Sequence, residues 1–283
     1  MRPAVCLMVA SIYSDNIKNA LPLAYALEMF HNFTLLHDDI MDDADIRRSK
    51  PTVHSLYGQN TAILSGDLMM IKSFQYILNS KLTENNRIKI LDLFTKTAIE
   101  VCEGQQYDMD FESEKYVNTD SYLKMIELKT AVLLASAFKI GAIAGGADEN
   151  IAELWYSYGI NVGMAFQVQD DYLDIFGDQE LFGKLNGGDI IQKKKTYPFL
   201  IALEQVVNKE QLIIDYNSDF DNPQDKVSHF QKIYNDLEIP RLVQEKIQYY
   251  DKKAIENLDS ISSNKNELQE IIDLHQKLMN RGF

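Results

Sequence analysis

Residues 88–102, IKILDLFTKTAIEVC, decide the fold class. Their apolar and small residues recur three and four positions apart, as Ile88, Leu91 and Phe94 do, and that spacing is the period of an amphipathic α-helix. Similar spacing runs along most of the chain, whereas the alternation typical of β-strands is nearly absent. We therefore predict an all-α protein whose helices are about 15 to 30 residues long.

Clusters of Gly, Pro, Ser, Asn and Asp predict where the helices end. No change in composition marks a domain boundary, and no repeat of about 20 to 50 residues indicates a solenoid. The 283 residues could form one large domain or two ordinary ones, and we predict a single helical domain over residues 1–283. The predicted breaks are residues 49–51, 111–120, 145–150, 183–189, 216–224 and 260–265.

Composition excludes several classes of protein. The formal net charge of -14 argues against a nucleic-acid binder, which needs a basic surface. The 2 cysteines are too few for a disulfide framework and fit a reducing cytoplasm.

The longest apolar run, residues 131–144, contains Lys139 and is shorter than the roughly 20 residues that a membrane span needs. The run at residues 4–10 lacks a signal-peptide cleavage site, so we predict a cytoplasmic protein without a membrane span.

A first acidic cluster ends an apolar helix that we predict to begin near Ala20. Residues 37–48 read HDDIMDDADIRR. Asp38 and Asp42 are four residues apart, so a helix places their carboxylates on one face about one turn apart. Like charges at that spacing destabilise a helix, and carboxylate oxygens bind Mg²⁺ or Mn²⁺ in preference to zinc. A single cluster of this kind fits a divalent-cation site and a solvated helix end about equally well.

A second acidic cluster favours the cation site. Residues 167–174 read QVQDDYLD and repeat the DDxxD pattern on another apolar helix. Two facing clusters would form a mouth in which Mg²⁺ bridges carboxylates to a diphosphate that the acidic protein would otherwise repel. Basic side chains, which can bind diphosphate oxygens, follow both clusters: Arg47 and Arg48 follow the first, and Lys184, Lys193, Lys194 and Lys195 follow the second.

These motifs resemble the trans-isoprenyl diphosphate synthase family, also called polyprenyl synthetases. The resemblance covers most of the chain, weakens after about Leu203, and implies a helical bundle of the isoprenoid synthase type with a central cavity. The matching segments occur in the family's order: Arg2-Pro3, HDDIMDDADIRRSKPTVH (37–54), AILSGDL (62–68), Gly104-Gln105, Lys129-Thr130, FQVQDDYLDIFGD (166–178) and Lys195 to Pro198.

The resemblance also implies a short-chain trans-prenyltransferase, with Mg²⁺ or Mn²⁺ as cofactor and a homodimer as the assembly. It would condense isopentenyl diphosphate with an allylic diphosphate, whose ionisation is promoted by metal and cationic side chains. The implied metal residues are Asp38, Asp39, Asp42, Asp170, Asp171 and Asp174. The implied allylic-diphosphate residues are Arg47, Lys129, Thr130, Gln167, Lys184 and Lys195, and those for isopentenyl diphosphate are Arg2, His31 and Arg48.

Product length is expected to depend on side chains below the first cluster. Phe33 and Thr34 lie one to one and a half turns before Asp38, which is about 6 to 7.5 Å along the helix. An aromatic residue followed by a small one resembles family members that stop at C20, and a C15 product is the second choice. The alternative is that Phe33 only fills the core, as buried phenylalanines usually do.

One departure and three alternatives accompany the resemblance. The family has Gly-Lys before the Arg-Pro found here at Arg2-Pro3, and a further helix before that, so we expect either a truncated start or an impaired isopentenyl diphosphate site. A class I terpene cyclase shares DDxxD but carries an Asn/Ser/Glu triad where this chain has residues 170–174. A non-catalytic regulatory subunit is favoured only by that N-terminal departure. A di-iron bundle is suggested by Glu28-x-x-His31, but it requires a second such motif, which the sequence lacks.

Overall fold

The computed structural model of the chain describes residues 1–177 and 187–280, so Lys184 lies outside the described residues. Helices dominate, and the all-α prediction is confirmed. The helices are α1 (Arg2–Tyr13), α2 (Leu21–Met41), α3 (Val53–Tyr57), α4 (Gln59–Leu78), α5 (Glu84–Ser113), α6 (Thr119–Ile126), α7 (Val132–Gly145), α8 (Glu149–Phe176), α9 (Gly188–Ile191), α10 (Tyr197–Gln205), α11 (Lys209–Asn217), α12 (Pro223–Asp236), α13 (Ile239–Ile261) and α14 (Gln269–Met279).

Short elements connect some of these helices. Residues Ile17–Asn19 and Lys265–Leu268 form 3₁₀ turns, and Glu127–Ala131 forms one π-helical turn between α6 and α7. Strands β1 (Ile46–Arg47) and β2 (Lys50–Pro51) pair antiparallel in a small hairpin.

Several helices are shorter than the predicted 15 to 30 residues. Helices α10 and α11 have 9 residues each, and α6 has 8. Proline occupies the first turn of α10 and of α12, where its missing N–H costs no hydrogen bond and its ring prevents a preceding helix from continuing. Most predicted breaks coincide with the observed helix ends, although residues 183–186 are not described.

The chain folds into two compact units, each built from two segments of the sequence. The first unit comprises Met1–Thr97 and Ser136–Tyr156, and the second comprises Ala98–Ala135 and Ser157–Phe283. The single domain expected from composition stays a prediction.

In the first unit, α2 packs against α1 and α4. The rings of Phe30 and Phe94 meet edge to face at 5.3 Å between centroids, and Phe74 contacts Phe94 in the same way at 5.1 Å. On α7, a Cβ added to Gly141 would lie 2.4 Å from the Cys6 carbonyl oxygen, so only glycine allows α1 to approach this closely. These contacts build the core beneath the first acidic cluster.

In the second unit, buried aromatic rings join α10, α11 and α12. Phe199 stacks on Tyr216 at 3.9 Å between centroids, and Phe230 meets Tyr216 edge to face at 4.9 Å. Helix α14 is attached through His275, whose Nε2 lies 2.7 Å from Asp251 Oδ1.

Thr119–Gly145 is long and apolar enough to cross a membrane if length and composition alone are considered. However, 72% of its most apolar window is buried inside the protein. This run therefore has the character of a core helix.

Candidate active site

The first acidic cluster lies at the C-terminal end of α2. The N–H of Asp42 donates to the carbonyl oxygen of Asp38 at 2.9 Å, so the two residues are one helical turn apart, as their spacing predicts. Carboxylates are unfavourable there because the helix dipole already places partial negative charge at a C-terminus. The cluster therefore needs positive charge close by.

Arg47 on β1 supplies some of that charge. Its Nη2 donates to Asp38 Oδ2 at 2.9 Å, and its Nε donates to Asp39 Oδ1 at 2.5 Å. Burial acts to lower the pKa of Arg47, but hydrogen bonds and attraction from Asp39 and Asp38 outweigh it and raise that pKa. Asp39 itself is only 5% exposed. Arg47 thus fixes the orientation of two predicted metal residues.

The hairpin that carries Arg47 is conformationally strained. Its two-residue loop consists of Arg48 and Ser49, with φ of 51° and 61°, although such left-handed turns normally use Asn or Gly. Left-handed backbone at residues other than glycine costs of order 1–3 kcal/mol each and is concentrated at functional sites. The strain places Arg48 on the exposed tip of the hairpin.

A second group of positive charges surrounds His31 on α2. Burial, followed by the charges of Arg2 and Arg48, lowers the pKa of His31 to about 3. Burial also lowers the pKa of Arg2 to about 10, and its buried Nε has no hydrogen-bond partner among the described residues. An unsatisfied cationic donor in a region of positive potential is what an anion site requires. The structure thus brings together Arg2, His31 and Arg48, the predicted isopentenyl diphosphate residues.

The depressed pKa of His31 predicts a pH-dependent stability. Between about pH 6.5 and pH 3 the unfolded chain protonates His31 and the folded chain does not, so stability falls as pH falls through this window. We expect His31→Gln to remove this contribution. The melting temperature of each protein is measured from pH 7 to pH 4. It should fall further for the wild type than for His31→Gln, and parallel curves would contradict the prediction.

Asp170, Asp171 and Asp174 lie on α8, where the second cluster was predicted. Asp171 is turned into the protein and is 3% exposed, and its Oδ2 accepts from Tyr122 Oη at 2.7 Å and from the Tyr197 N–H at 3.2 Å. Burial, with repulsion from nearby carboxylates, outweighs these hydrogen bonds and raises the pKa of Asp171 to about 8. The predicted metal role of Asp171 stays a prediction, but this oxygen is already hydrogen-bonded within the protein.

Asp189 is a residue that the sequence analysis missed. Burial, then repulsion from Asp174, raises its pKa to about 6, and the charge of Lys194 opposes the rise. Its N–H also donates to Asp174 Oδ2 at 3.0 Å. The signal in the sequence was the Gly187-Gly188 pair, whose flexibility allows the chain to fold back onto the second cluster.

The lysines after the second cluster differ in their surroundings. Lys195, the predicted diphosphate residue, donates from Nζ to the carbonyl oxygens of Phe111 at 2.6 Å and Glu112 at 3.1 Å. It therefore binds the last carbonyls of α5, which is a favourable place for a cation. Lys194 instead interacts electrostatically with Asp189. Lys194 is accordingly a further candidate for the diphosphate site.

Lys129 and Thr130 lie on the π-helical turn Glu127–Ala131, a type of distortion often found at functional sites. Lys129 Nζ lies 2.5 Å from Asp108 Oδ2, and Thr130 Oγ1 donates to Gln167 Oε1 at 3.4 Å. Thr130 and Gln167 thus lie in contact in the second unit, with Lys129 on the same turn, and their role in binding the allylic diphosphate stays a prediction.

Glycines hold this turn from two sides. A Cβ on Gly104 of α5 would lie 2.3 Å from the backbone nitrogen of Lys129, and a Cβ on Gly163 of α8 would lie 2.7 Å from the Cα of Ala131. Separations under 3.0 Å are not tolerated by real Cβ atoms. Both helices can therefore contact the turn directly only because these positions lack side chains.

The donor chemistry fits Mg²⁺. Asp170 and Asp174 both repel Asp189 in the second unit, and a divalent cation would relieve that repulsion. Within residues 1–177 and 187–280, however, no group of three or more His, Cys, Asp or Glu side chains is close enough to hold a metal ion. Mg²⁺ usually keeps several waters and is bound through one or two carboxylates plus substrate phosphates, so a site of this kind does not require three protein ligands in one place.

Phe33 and Thr34 occupy the predicted product-length position on α2. Phe33 is 7% exposed and lies between Phe30, at 5.4 Å between ring centroids, and His37, at 4.7 Å. Thr34 Oγ1 donates to the His31 carbonyl oxygen at 2.8 Å. The aromatic ring is thus fixed by neighbours in the first unit.

Comparison with known proteins places this geometry in a family. Residues 1–237 match the family described as Polyprenyl synthetase. The chain is 44% identical over 207 residues to the geranylgeranyl diphosphate synthase of Methanosarcina mazei, an alignment covering 73% of this chain and 64% of that protein. It is 43% identical over 209 residues to the geranylfarnesyl diphosphate synthase of Natronomonas pharaonis, covering 74% and 61%. In both alignments the chain spans less than two thirds of the relative's length.

The fold comparison agrees with the sequence comparison. The crystal structure of geranylgeranyl pyrophosphate synthetase from Pyrococcus horikoshii Ot3 superposes with a TM-score of 0.93 at 31% identity, covering 99% of this chain and 85% of that chain. Together these matches show that the chain belongs to the polyprenyl synthetase family.

Proposed function

We propose that this protein is a short-chain trans-prenyltransferase that condenses isopentenyl diphosphate with an allylic diphosphate. The observation that carries the proposal is the pair of cationic side chains, Arg2 and Arg48, whose positive charges act on the neutral ring of His31. A terpene cyclase ionises one allylic diphosphate and has no use for a second diphosphate site, whereas an elongating enzyme needs one. The names of both curated relatives, each a prenyl diphosphate synthase, support this choice.

Polyprenyl synthetases generally use Mg²⁺. We propose that Asp38, Asp42 and Asp170 hold it, with Asp39, Asp171 and Asp174 as supporting carboxylates of the two clusters. When bound, the ion would neutralise negative charge on a leaving diphosphate. Arg47 would then keep Asp38 and Asp39 oriented while the metal is absent.

The chain's own side chains would stabilise the charge that develops on the diphosphate. Cationic groups fixed before the reaction do this without reorganising, and such electrostatic stabilisation is usually the largest contribution to catalysis. Lys129 and Lys194 are held near carboxylates of the second unit, and Arg47 is held in the first. The double bond of isopentenyl diphosphate would attack the allylic carbon as the C–O bond to diphosphate breaks, and the departing diphosphate can accept the proton that is lost, so neither a protein nucleophile nor a protein base is required. Apolar helices exclude the water that would quench the allylic cation.

Product analysis tests the proposed activity. Purified protein is incubated with Mg²⁺, labelled isopentenyl diphosphate and, separately, dimethylallyl, geranyl or farnesyl diphosphate. We expect labelled C20 prenyl diphosphate from each primer. A cyclised hydrocarbon without label would indicate a terpene cyclase, and the absence of product in all incubations would indicate a non-catalytic subunit.

We propose C20 as the product length, with C15 as the second choice, because the packed ring of Phe33 stands where an elongating chain would meet it. Phe33→Ala removes that ring and is expected to lengthen the product by one or more isoprene units, to C25 or beyond. Reversed-phase chromatography of the dephosphorylated products measures the change. Phe33→Tyr keeps the aromatic bulk and should keep C20, so a C20 product from both variants would contradict the assignment.

We also propose that the protein is a homodimer. Helix α4 exposes an apolar stripe at Leu64 (69% exposed), Leu68 (55%), Ile71 (62%) and Leu78 (55%), spaced along one face. Contiguous exposed apolar surface of this kind marks interaction sites. We expect Leu68→Glu to convert a dimer into a monomer in sedimentation analysis, whereas Lys232→Glu on the exposed surface of α12 should leave the dimer intact. A monomeric wild type would contradict the proposal.

The proposed location is the cytoplasm. Cys6 and Cys102 are both free thiols in the structure, and Cys102 is exposed. Free exposed thiols fit a reducing compartment.

A further inference from the structure

We propose that Tyr122 is a positioning residue that acts through Asp171, so that the two adjacent aspartates of the second cluster have different roles. The proposal rests on the prenyltransferase function proposed above. Asp170 would belong to the metal site, whereas Asp171 would be an internal anchor for the segments that carry the diphosphate-binding side chains.

The first argument is orientation. Neighbouring residues on a helix point about 100° apart, so Asp170 and Asp171 cannot share one direction. Asp171 is 3% exposed, and Asp170 is only partly buried. A carboxylate directed into the core needs internal donors, because a buried acceptor without them is costly.

The second argument is the identity of those donors. Oδ2 of Asp171 accepts from the hydroxyl of Tyr122 at 2.7 Å and from the backbone N–H of Tyr197 at 3.2 Å. Tyr122 is itself 5% exposed, so its hydroxyl is committed to this bond in the protein interior. One oxygen thus joins α6, α8 and the first residue of α10.

The third argument is what these segments carry. Helix α6 leads directly into the π-helical turn with Lys129 and Thr130, α8 carries Asp170 and Asp174, and α10 follows Lys194 and Lys195. Fixing Asp171 therefore fixes the relative positions of candidate metal and diphosphate residues. Displacement of a catalytic group by about 1 Å can cost roughly 10²-fold in rate, so a residue that touches no substrate can still control turnover.

The test compares Tyr122→Phe, Asp171→Asn and Asp171→Ala. Asparagine keeps a carbonyl oxygen that can accept both hydrogen bonds, whereas alanine removes the acceptor. We expect about 10- to 100-fold lower kcat in Tyr122→Phe and Asp171→Ala, with partial rescue in Asp171→Asn. The double variant Tyr122→Phe/Asp171→Ala should be no slower than Asp171→Ala, because two substitutions that remove the same contact do not have additive effects on kcat.

A metal-binding measurement separates an anchor from a ligand without using activity. Mn²⁺ titrations followed by electron paramagnetic resonance are made on the wild type, Asp171→Asn and Asp170→Asn. We expect Asp170→Asn to weaken Mn²⁺ binding by at least about tenfold and Asp171→Asn to change it much less. Equal losses in the two variants would make Asp171 a ligand and overturn the proposal.

Tyr158→Phe is the matched control, because Tyr158 is also a buried tyrosine, with its hydroxyl 3.2 Å from His275 Nδ1. It should lower the melting temperature without the kcat loss expected of Tyr122→Phe. An equal kcat loss in both tyrosine variants would reduce Tyr122 to a structural residue and overturn the proposal. If the wild type incorporates no isopentenyl diphosphate, the prenyltransferase function fails, whereas the Mn²⁺ titrations still test the anchor.

Discussion

Asp38→Ala and Asp170→Ala are each expected to slow isopentenyl diphosphate condensation by at least about 10²- to 10³-fold, the loss seen when a group that stabilises developing charge is removed. Asp38 lies at the acidic end of α2 and is bound by Arg47. Burial is the main cause of the raised pKa of Asp189, and Asp170 is one of the carboxylates whose repulsion adds to it. Each substitution would remove an oxygen donor from the proposed Mg²⁺ sites. Steady-state rates with labelled isopentenyl diphosphate measure the loss.

Asp45→Ala is the control for this prediction. Asp45 is exposed, follows the first cluster, and its carboxylate accepts from the Ser55 hydroxyl at 3.4 Å. Its removal changes the net charge as Asp38→Ala does, and the rate should stay within about threefold of the wild type. Rates within tenfold of the wild type for both Asp38→Ala and Asp170→Ala would show that the acidic clusters do not support catalysis.

Gly104→Ala is the second substitution with a large expected effect, and it adds only one methyl group. The new Cβ would lie 2.3 Å from the backbone nitrogen of Lys129, so the π-helical turn must move. Overpacking of this kind costs about 1–3 kcal/mol of stability. A shift of about 1 Å at the lysine would lower kcat by roughly 10²-fold. Kinetics and thermal melting of the same preparation separate the two effects.

Gly145→Ala is the matched control for Gly104→Ala. Its Cβ would lie 2.7 Å from the Ala10 carbonyl oxygen in the first unit, so the steric conflict is similar, and Ala10 lies about two turns of α1 beyond Arg2. It should lower the melting temperature by a comparable amount, while folded protein keeps a kcat within about threefold of the wild type. Equal kcat losses in the two variants would contradict a positioning role for Gly104.

The sequence was sufficient for those features that depend on periodicity. Three and four residue spacing predicts helices because it places apolar side chains on one face. The same geometry predicts that Asp38 and Asp42 are one turn apart, and the hydrogen bond between their backbones confirms it. Local spacing determines these features, so no knowledge of tertiary packing was needed.

Features that depend on packing could not be predicted. Spacing gives the angle between Asp170 and Asp171 but not which of them faces the core, because that depends on Tyr122 from another helix. The run Lys193 to Lys195 has identical side chains, and only the backbone distinguishes them. Lys193 adopts φ of 60°, a left-handed conformation that redirects the two lysines after it.

The π-helical turn under Lys129 and Thr130 was also invisible in the sequence. Residues 127–131 have ordinary helix-forming side chains, and the distortion coincides with close contacts from Gly104 and Gly163, which are distant in sequence. The short helices α10 and α11 were merged in the prediction because the break between them, at residues 206–208, contains neither Gly nor Pro.

The most direct test of the proposed function is the ratio of diphosphate released to isopentenyl units incorporated, measured together on the wild-type protein with Mg²⁺ and geranyl diphosphate. Elongation releases one diphosphate for every isopentenyl unit that enters the product, so a ratio of one is predicted, with no release when isopentenyl diphosphate is omitted. Diphosphate release without incorporation of isopentenyl units would contradict the proposal, because the allylic substrate would then be ionised for a different reaction.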